Sequence, residues 1–413
     1  MIPAAETAEN SRWAAFQNAA FMKYWFARLA GGFAAQIQTV AVGWQVYDLT
    51  RNPLDLGLVG LSQFLPALLL VLVTGAVADR YRRRTIMAVC LGLEALCAGA
   101  LLYFSAADMN DVWLIFLILA GFGTARAFYG PAQQSLLPNL VPPELLPNAI
   151  ALSSTGWQLS TIVGPVAGGL LYGISPEAAY VAAFLLLVAA AILILLVPRP
   201  NQRTIAEPPT WETIVAGFRY IWHEKIVLGA ISLDLFAVLL GGATALMPVY
   251  ARDILEVGPW GLGLLRAGPA FGAIAVALYL TTHTIHDHAG RLMFLFVAVF
   301  GIATIVFGIS TLVWLSVLAL VVMGAADMVS VYIRETLIQL WTPDAVRGRV
   351  NAVNMVFIGA SNELGEFRAG VSAALIGTVP AVLIGGLGTV AVAALWYRWF
   401  PELRRARHLK GRV

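Results

Sequence analysis

Charge is scarce in this 413-residue chain: Asp, Glu, Lys and Arg together make up 12% of it, about half the share carried by a soluble domain. Three residues are lysine, Lys23, Lys225 and Lys410, and none follows a Gly-x-x-x-x-Gly run. A phosphate-cradling loop requires that lysine, so direct ATP hydrolysis is excluded as an energy source. The two cysteines, Cys90 and Cys97, stand seven apart in one apolar run. On a helix they share a face but cannot be bridged, and they read as small packing residues. His283, His286 and His288 flank one loop, where a solvated turn fits better than a metal site. No Cys and His cluster with ligand spacing occurs, so neither a metal nor a cofactor is expected. Alternation of polar and apolar residues is lacking as well. Runs such as Ala178–Val197 are apolar at nearly every step, which excludes a transmembrane β-barrel. The net charge of +3 is scattered over loops, and no nucleic-acid partner is expected. Residues 1–18 are polar and have no cleavage site, so a removable signal peptide is not expected.

Apolar length is what the chain has in abundance. Hydrophobic residues make up 60% and the mean hydropathy is +0.80. A helical span needs about 20 apolar residues, and about a dozen such runs follow one another. The expected fold is therefore an all-α membrane protein of twelve transmembrane helices. The first-half spans are 21–48, 55–79, 85–106, 112–137, 147–174 and 178–197, and the second-half spans are 226–251, 259–283, 291–311, 313–340, 349–377 and 380–400. With the N-terminus in the cytoplasm, Arg80 to Arg84, Arg199, Arg203, Arg219, Lys225, Arg291, Arg347 and Arg349 all fall on cytoplasmic loops, while Arg51 and Arg252 fall outside. That asymmetry obeys the positive-inside rule.

Prolines 198, 200, 208 and 209 interrupt helix in the one long connection, after which Thr210-Trp211-Glu212 opens an amphipathic stretch through Tyr220 and Trp222. It reads as an interfacial helix. The chain then divides into a cytoplasmic segment (1–20), a six-helix bundle (21–197), this linker (198–225), a second bundle (226–400) and a basic tail (401–413). The halves repeat. Trp113–Gly123 matches Trp314–Gly324 at a spacing of 201, and Asn52-Pro53-Leu54-Asp55-Leu56-Gly57-Leu58 echoes Gly258-Pro259-Trp260-Gly261-Leu262-Gly263-Leu264. Coincident Trp, Pro and Gly positions make chance a poor explanation.

Between the second and third spans lies Gly75-x-x-x-Asp79-Arg80-x-x-Arg83-Arg84, which no hydrocarbon interior tolerates. It resembles the signature loop of the major facilitator superfamily, with Arg82 standing where that loop carries a second glycine. The fifth span reads Gly156-x-x-x-Ser160-x-x-x-Gly164-Pro165-x-x-Gly168-Gly169. Small residues at every fourth position form a flat packing stripe, and Pro165 frees a backbone carbonyl and permits a bend. The stripe resembles the glycine-proline motif of the superfamily's exporters and antiporters, with Ser160 replacing a glycine. Arg126-Ala127-Phe128-Tyr129-Gly130-Pro131-Ala132 and Ser361-Asn362-Glu363-Leu364-Gly365-Glu366-Phe367 are similar to the branch of enterobactin-type siderophore exporters and transmembrane secretion effectors. The resemblance implies two pseudo-symmetric six-helix bundles, a secondary transporter rather than an enzyme, and a clamp in which Asp79 faces the N-terminal end of the eleventh helix.

Ionisable residues within spans are functional-site hypotheses in their own right. Arg126, Asp327, Glu363 and Glu366 fall near mid-depth, with Arg334 and Glu335 further along the tenth span. Arg126 and Asp327 are equivalents in the repeat, and in this architecture would face one another across a central cavity. A carboxylate that exchanges an arginine partner for water can take up and release a proton. The same residues could equally form static ion pairs, and both roles stay open. Gln36, Gln38, Trp44, Gln45, Tyr129, Gln133 and Gln134 are candidates to line the cavity. Glu94, on a span at the periphery, reads as a helix-packing residue or as a partner of the Arg82–Arg84 cluster, Arg28 and Asp234 as gate or snorkelling groups, and Arg266 as snorkelling. The expected function is proton-coupled export of a small organic molecule, siderophore-like or drug-like, by a monomer in a bacterial inner membrane. A nutrient importer and a non-transporting receptor or assembly factor on the same scaffold are the rivals.

Overall fold

The computed structural model describes residues 13–198, 218–283, 285 and 287–406. Among them are twelve helices of 17 to 33 residues and no strand. In order they are α1 (Ala19–Thr50), α2 (Pro53–Arg80), α3 (Arg83–Ala106), α4 (Val112–Leu136), α5 (Leu146–Ile174), α6 (Pro176–Leu195), α7 (Lys225–Gly241), α8 (Gly258–Thr282), α9 (Ala289–Ile309), α10 (Val313–Trp341), α11 (Asp344–Ile376) and α12 (Thr378–Trp399). A short α13 (Pro401–Arg405) follows. Arg199, Arg203, His286, the basic residues beyond Ala406, most of the amphipathic stretch and the Asp79 side chain lie outside the described residues.

Local chemistry sets the helix starts. The Ser175 hydroxyl accepts from Ala178 N at 3.1 Å and Pro176 occupies the first turn of α6, a side-chain cap followed by a residue whose missing N–H costs nothing there. Asp111 caps α4 through Trp113 N at 3.0 Å. Among the described residues, nine of the twelve helices are long and apolar enough to cross a bilayer, α7 being counted with the turns that follow it. The three that fall short are α1, α5 and α11, which carry glutamine, serine and charge within their length. Those groups must be met by protein rather than by lipid. Lipid instead receives residues such as Ile174 and Trp314, 77% and 81% exposed. A water-soluble surface would not carry so many exposed apolar side chains.

The chain packs as two compact units, Met1–Gln45 with Ser62–Pro208, and Val46–Leu61 with Pro209–Val413. In the first, α3 lies along α4 and α6. In the second, α9 lies along α10 and α12 in the same way, and α7 packs on α11 and α12. The repeat reaches the backbone. Gly123 of α4 lies directly on the Gln63 carbonyl of α2, and Gly324 of α10 lies on the Pro269 carbonyl of α8. Gly123 and Gly324 are 201 apart, and Gln63 and Pro269 are separated by the same 206 that separates Asn52 from Gly258. Each glycine is required because a methyl would overlap the carbonyl oxygen.

One expected span is corrected. The seventh was read as continuous over 226–251, but α7 stops at Gly241, and Gly242 turns out of the helix with ψ 95°. The chain then continues as a 3-10 turn (Thr244–Leu246), a turn containing Pro248 and a π-helical turn (Tyr250–Ile254). Two adjacent glycines hold helix weakly, and Pro248 supplies no N–H to the turn before it. A periodicity reading sees only apolar residues here and misses the break.

Candidate functional site

In the first unit the stripe on α5 is a seam with α1. Gly156 lies 3.2 Å from the Trp25 ring, and Gly168 lies 2.9 Å from the Ile37 α-carbon, both measured from the position a β-carbon would take. Ser160 meets Gly32, and Gly164 meets the Gln36 side chain. Gly156, Ser160, Gly164, Pro165, Gly168 and Gly169 are all buried. Trp25 also donates to the Leu152 carbonyl at 2.8 Å. Close approach of two backbones is what small residues permit, and α5 runs unbroken through Pro165.

Beside this seam is a polar cluster shared by α1, α3 and α4. The Tyr24 hydroxyl donates to the Gln133 carbonyl at 3.0 Å, and Arg28 Nη2 donates to the Gln133 amide oxygen at 3.0 Å. The Arg28 guanidinium lies 5.8 Å from the centre of the Tyr24 ring. Arg28 is thus held by α4 and does not snorkel. Arg126 is exposed, stacks over Phe122 at 4.8 Å, and exerts an attractive field on Glu94. Glu94 is only 4% exposed, a buried group within the field of α4. Tyr129 lies within the electrostatic reach of Glu94, Tyr24 and Arg28. Of the remaining residues expected to line a cavity, Gln38 and Trp44 are buried, and Gln45 accepts from the Tyr180 hydroxyl of α6 at 2.5 Å. Gln134 is exposed.

The second unit carries its charges at three levels. At the first, Asp234 of α7 is ion-paired with Arg334 of α10, whose side chain is 3% exposed. Arg334 Nε also lies 3.6 Å from Glu335 Oε1, which accepts from Asn354 Nδ2 at 2.9 Å. Asp327, two turns back along α10, is within the field of both Asp234 and Arg334. Asp234, Asp327 and Ser330 line a cavity of about 10 Å³, room for roughly one water molecule. Ser330 Oγ is buried there with no hydrogen-bond partner among the described residues. Asp234 is therefore a buried ion-pair partner and does not snorkel.

The second level joins α2, α8 and α11. Glu366 Oε1 accepts from Thr244 Oγ1 at 2.9 Å, just past the break in α7. Gly60 of α2 faces both acids, so that a methyl there would stand 3.0 Å from Glu363 Oε2 and 3.2 Å from Glu366 Oε2. Arg266 of α8 lies in the field of Glu366 with its Nε buried, which overturns the snorkelling reading for this residue too. Arg368 Nη2 donates to the Leu240 carbonyl at 2.6 Å, taking up an acceptor freed where α7 stops. At the third level Tyr47 donates to Asp253, Arg252 pairs with Asp48, and Arg51 Nη1 stands 3.3 Å from Asp253 Oδ1. Sequence reasoning passed over Arg368 and this last group. The signal that could have found several members is the repeat register: Arg28 and Asp234 are 206 apart, as are Tyr47 and Asp253.

With buried charge, twelve helices and a twofold repeat established, comparison with known proteins decides the family. The profile for transmembrane secretion effectors matches residues 10–408. The chain belongs to that family of major facilitator transporters. It is 26% identical to the enterobactin exporter EntS of Shigella boydii serotype 18 and to that of Escherichia coli O157:H7, in each case over 95% of both chains. Among solved structures, a bacterial homologue of the human lysosomal transporter Spinster, in an inward-facing and unoccupied conformation, superposes with a TM-score of 0.73 at 14% identity, covering 93% of this chain and 98% of that one. The nucleoside transporter NupG gives 0.66 at 15%, covering 92% and 99%. These structural likenesses show the fold. Secretion effectors of this superfamily are multi-pass membrane transporters and not enzymes.

In this family member the signature loop serves two purposes. Arg83 Nη1 donates to the Ser135 carbonyl at 2.8 Å, and Arg84 Nη2 donates to the Leu195 carbonyl at 2.6 Å. Both arginines thereby satisfy carbonyls at the C-terminal ends of α4 and α6, where a cation is also favoured by the helix dipole. Gly75 is half-buried in the last turns of α2, and Arg80 and Arg82 are exposed.

Proposed function

We propose that this transporter is a proton-coupled exporter of a small organic molecule, siderophore-like or drug-like, working by alternating access in a bacterial inner membrane. It acts as a monomer with both termini in the cytoplasm. The observation that carries this reading is the buried ion pair of Asp234 with Arg334, and the half-buried Asp327 that lines one small cavity together with Asp234. One guanidinium neutralises one carboxylate. A second acid at the same place is expensive to keep charged away from water, so it holds a proton while the cavity is dry. When that side of the molecule opens to water, the acid ionises. Asp327 is the exchangeable group, because Asp234 already has Arg334. Glu366, held by Thr244 and beside Arg266, is a second acid whose partners a change of state could exchange. The outward direction and the siderophore-like class are supported by the α5 stripe and by the likeness to an enterobactin exporter.

The test is transport in everted vesicles under an imposed proton gradient, across siderophores and amphiphilic dyes. Asp327→Asn should lose gradient-driven accumulation by at least tenfold while keeping substrate exchange at equal concentrations. Full accumulation with unchanged pH dependence in Asp327→Asn and Glu366→Gln alike would remove the proton from the mechanism. Accumulation only in right-side-out vesicles would reverse the direction.

A further inference from the structure

The four arginines after Asp79 are used unequally. Arg83 and Arg84 are committed to the ends of α4 and α6. Arg80 closes α2 and Arg82 stands at the N-cap of α3; both are exposed, and neither side chain has an ion-pair or hydrogen-bond partner among the described residues. Directly beside them is a groove of about 650 Å³ bounded by α2, α3 and α4, within the size range of ordinary ligand clefts. Its walls are apolar: Val77, Ile86, Val89, Leu93, Ala125 and Phe128. Thr124 adds no free donor, since its hydroxyl donates to the Ala120 carbonyl of its own helix at 2.8 Å. The groove opens sideways, with Val89 64% exposed. In a membrane protein a sideways opening lined by apolar residues meets lipid and not water.

We propose that this groove binds one anionic phospholipid, its acyl chain along Ile86, Val89 and Leu93 and its phosphate between Arg80 and Arg82. The division of chemistry matches an amphiphile with a hydrocarbon body and one negative head. Two guanidiniums at one end supply planar paired donors for phosphate oxygens, and basic pockets between spans are known to hold anionic headgroups. A zwitterionic lipid fills the same apolar walls but gains little net attraction from the two cations. The site is independent of the proton-coupling acids, none of which lines it.

Native mass spectrometry of the delipidated full-length protein, titrated with phosphatidylglycerol and phosphatidylcholine of identical acyl chains, tests this. Phosphatidylglycerol should bind about tenfold more tightly, a difference of about 1.4 kcal/mol. Arg80→Gln with Arg82→Gln should bring the two lipids level, whereas Arg80→Lys with Arg82→Lys should keep most of the preference. Val89→Trp fills the groove and leaves the arginines in place, and should lower occupancy by both lipids. Equal binding of the two lipids by the unaltered protein, or an undiminished preference in the double glutamine variant, overturns the proposal. So does undiminished phosphatidylglycerol binding in Val89→Trp. Displacement by glycerol 3-phosphate at matched concentration would make this a phosphate site and overturn the lipid assignment.

Discussion

Asp234 and Arg334 form in the second unit the contact that Arg28 and Gln133 form in the first. The register makes them equivalents, since 28 and 234 differ by 206, and 133 and 334 by 201. The repeat has kept the meeting point of two helices, α1 with α4 and α7 with α10. It has reversed the charge: a guanidinium on α1 faces an amide, while a carboxylate on α7 faces a guanidinium. Among the described residues, the second unit thereby gains a buried ion pair with a further acid beside it.

That pair should behave as a unit. Arg334→Gln leaves Asp234 buried without its counter-charge, a loss of about 3–5 kcal/mol when the group stays ionised. Asp234→Asn with Arg334→Gln removes both charges and should recover most of that loss. Thermal unfolding of the purified variants in detergent reads the difference, and a double variant no more stable than Arg334→Gln contradicts the pairing.

The glycine crossings are the second case. Gly324→Ala places a methyl on the Pro269 carbonyl, and Gly123→Ala does the same on that of Gln63. Backbone cannot move aside as a flexible side chain does, and overpacking of this kind costs about 1–3 kcal/mol. Gly92→Ala, where nothing lies within 4 Å of the added carbon, is the control and should match the unaltered protein. The yield of monodisperse protein on size exclusion distinguishes them.

Glu366 and Arg266 should show a charge dependence of their own. Glu366→Gln keeps an acceptor oxygen for Thr244 and removes the negative field at Arg266, leaving a buried cation uncompensated. The variant should melt lower, and adding Arg266→Gln should raise it again. A further fall in the double variant would mean that the two charges are not coupled.

The group at Tyr47, Asp48, Arg51, Arg252 and Asp253 is more exposed, with Arg51 and Asp253 side chains 53% and 38% accessible. Solvent screening then limits each pair to roughly 1 kcal/mol or less. Asp253→Asn should raise amide exchange in residues 46–61 by about fivefold, and leave exchange across α9 and α12 unchanged. Unaltered exchange in 46–61 would mean that this segment is held by its other contacts, the packing of Gly57 on α11 and the Arg252–Asp48 pair, without Asp253.

Much of the site was legible at the level of residue and not of contact. Glu363 and Glu366 stood out because carboxylates are rare in apolar spans, and the structure brings Gly60, Thr244 and Arg266 to them. Glu94 is buried by neighbours on other helices, which its own span does not reveal. Arg368 was passed over because its role depends on a break in α7 that apolar periodicity conceals.

What the sequence determined by itself is the number and order of the helices, and the repeat that relates them. Lipid imposes those directly, since each span must satisfy its own backbone and hide its polar groups. Which buried charge meets which was decided only by tertiary structure. Spacing fixes the face of a helix a residue occupies, but the rotation and depth at which two helices touch come from packing, here set by glycines lying on carbonyls far away in the chain. The same acid therefore reads identically along the sequence whether it faces an arginine, a threonine or a cavity.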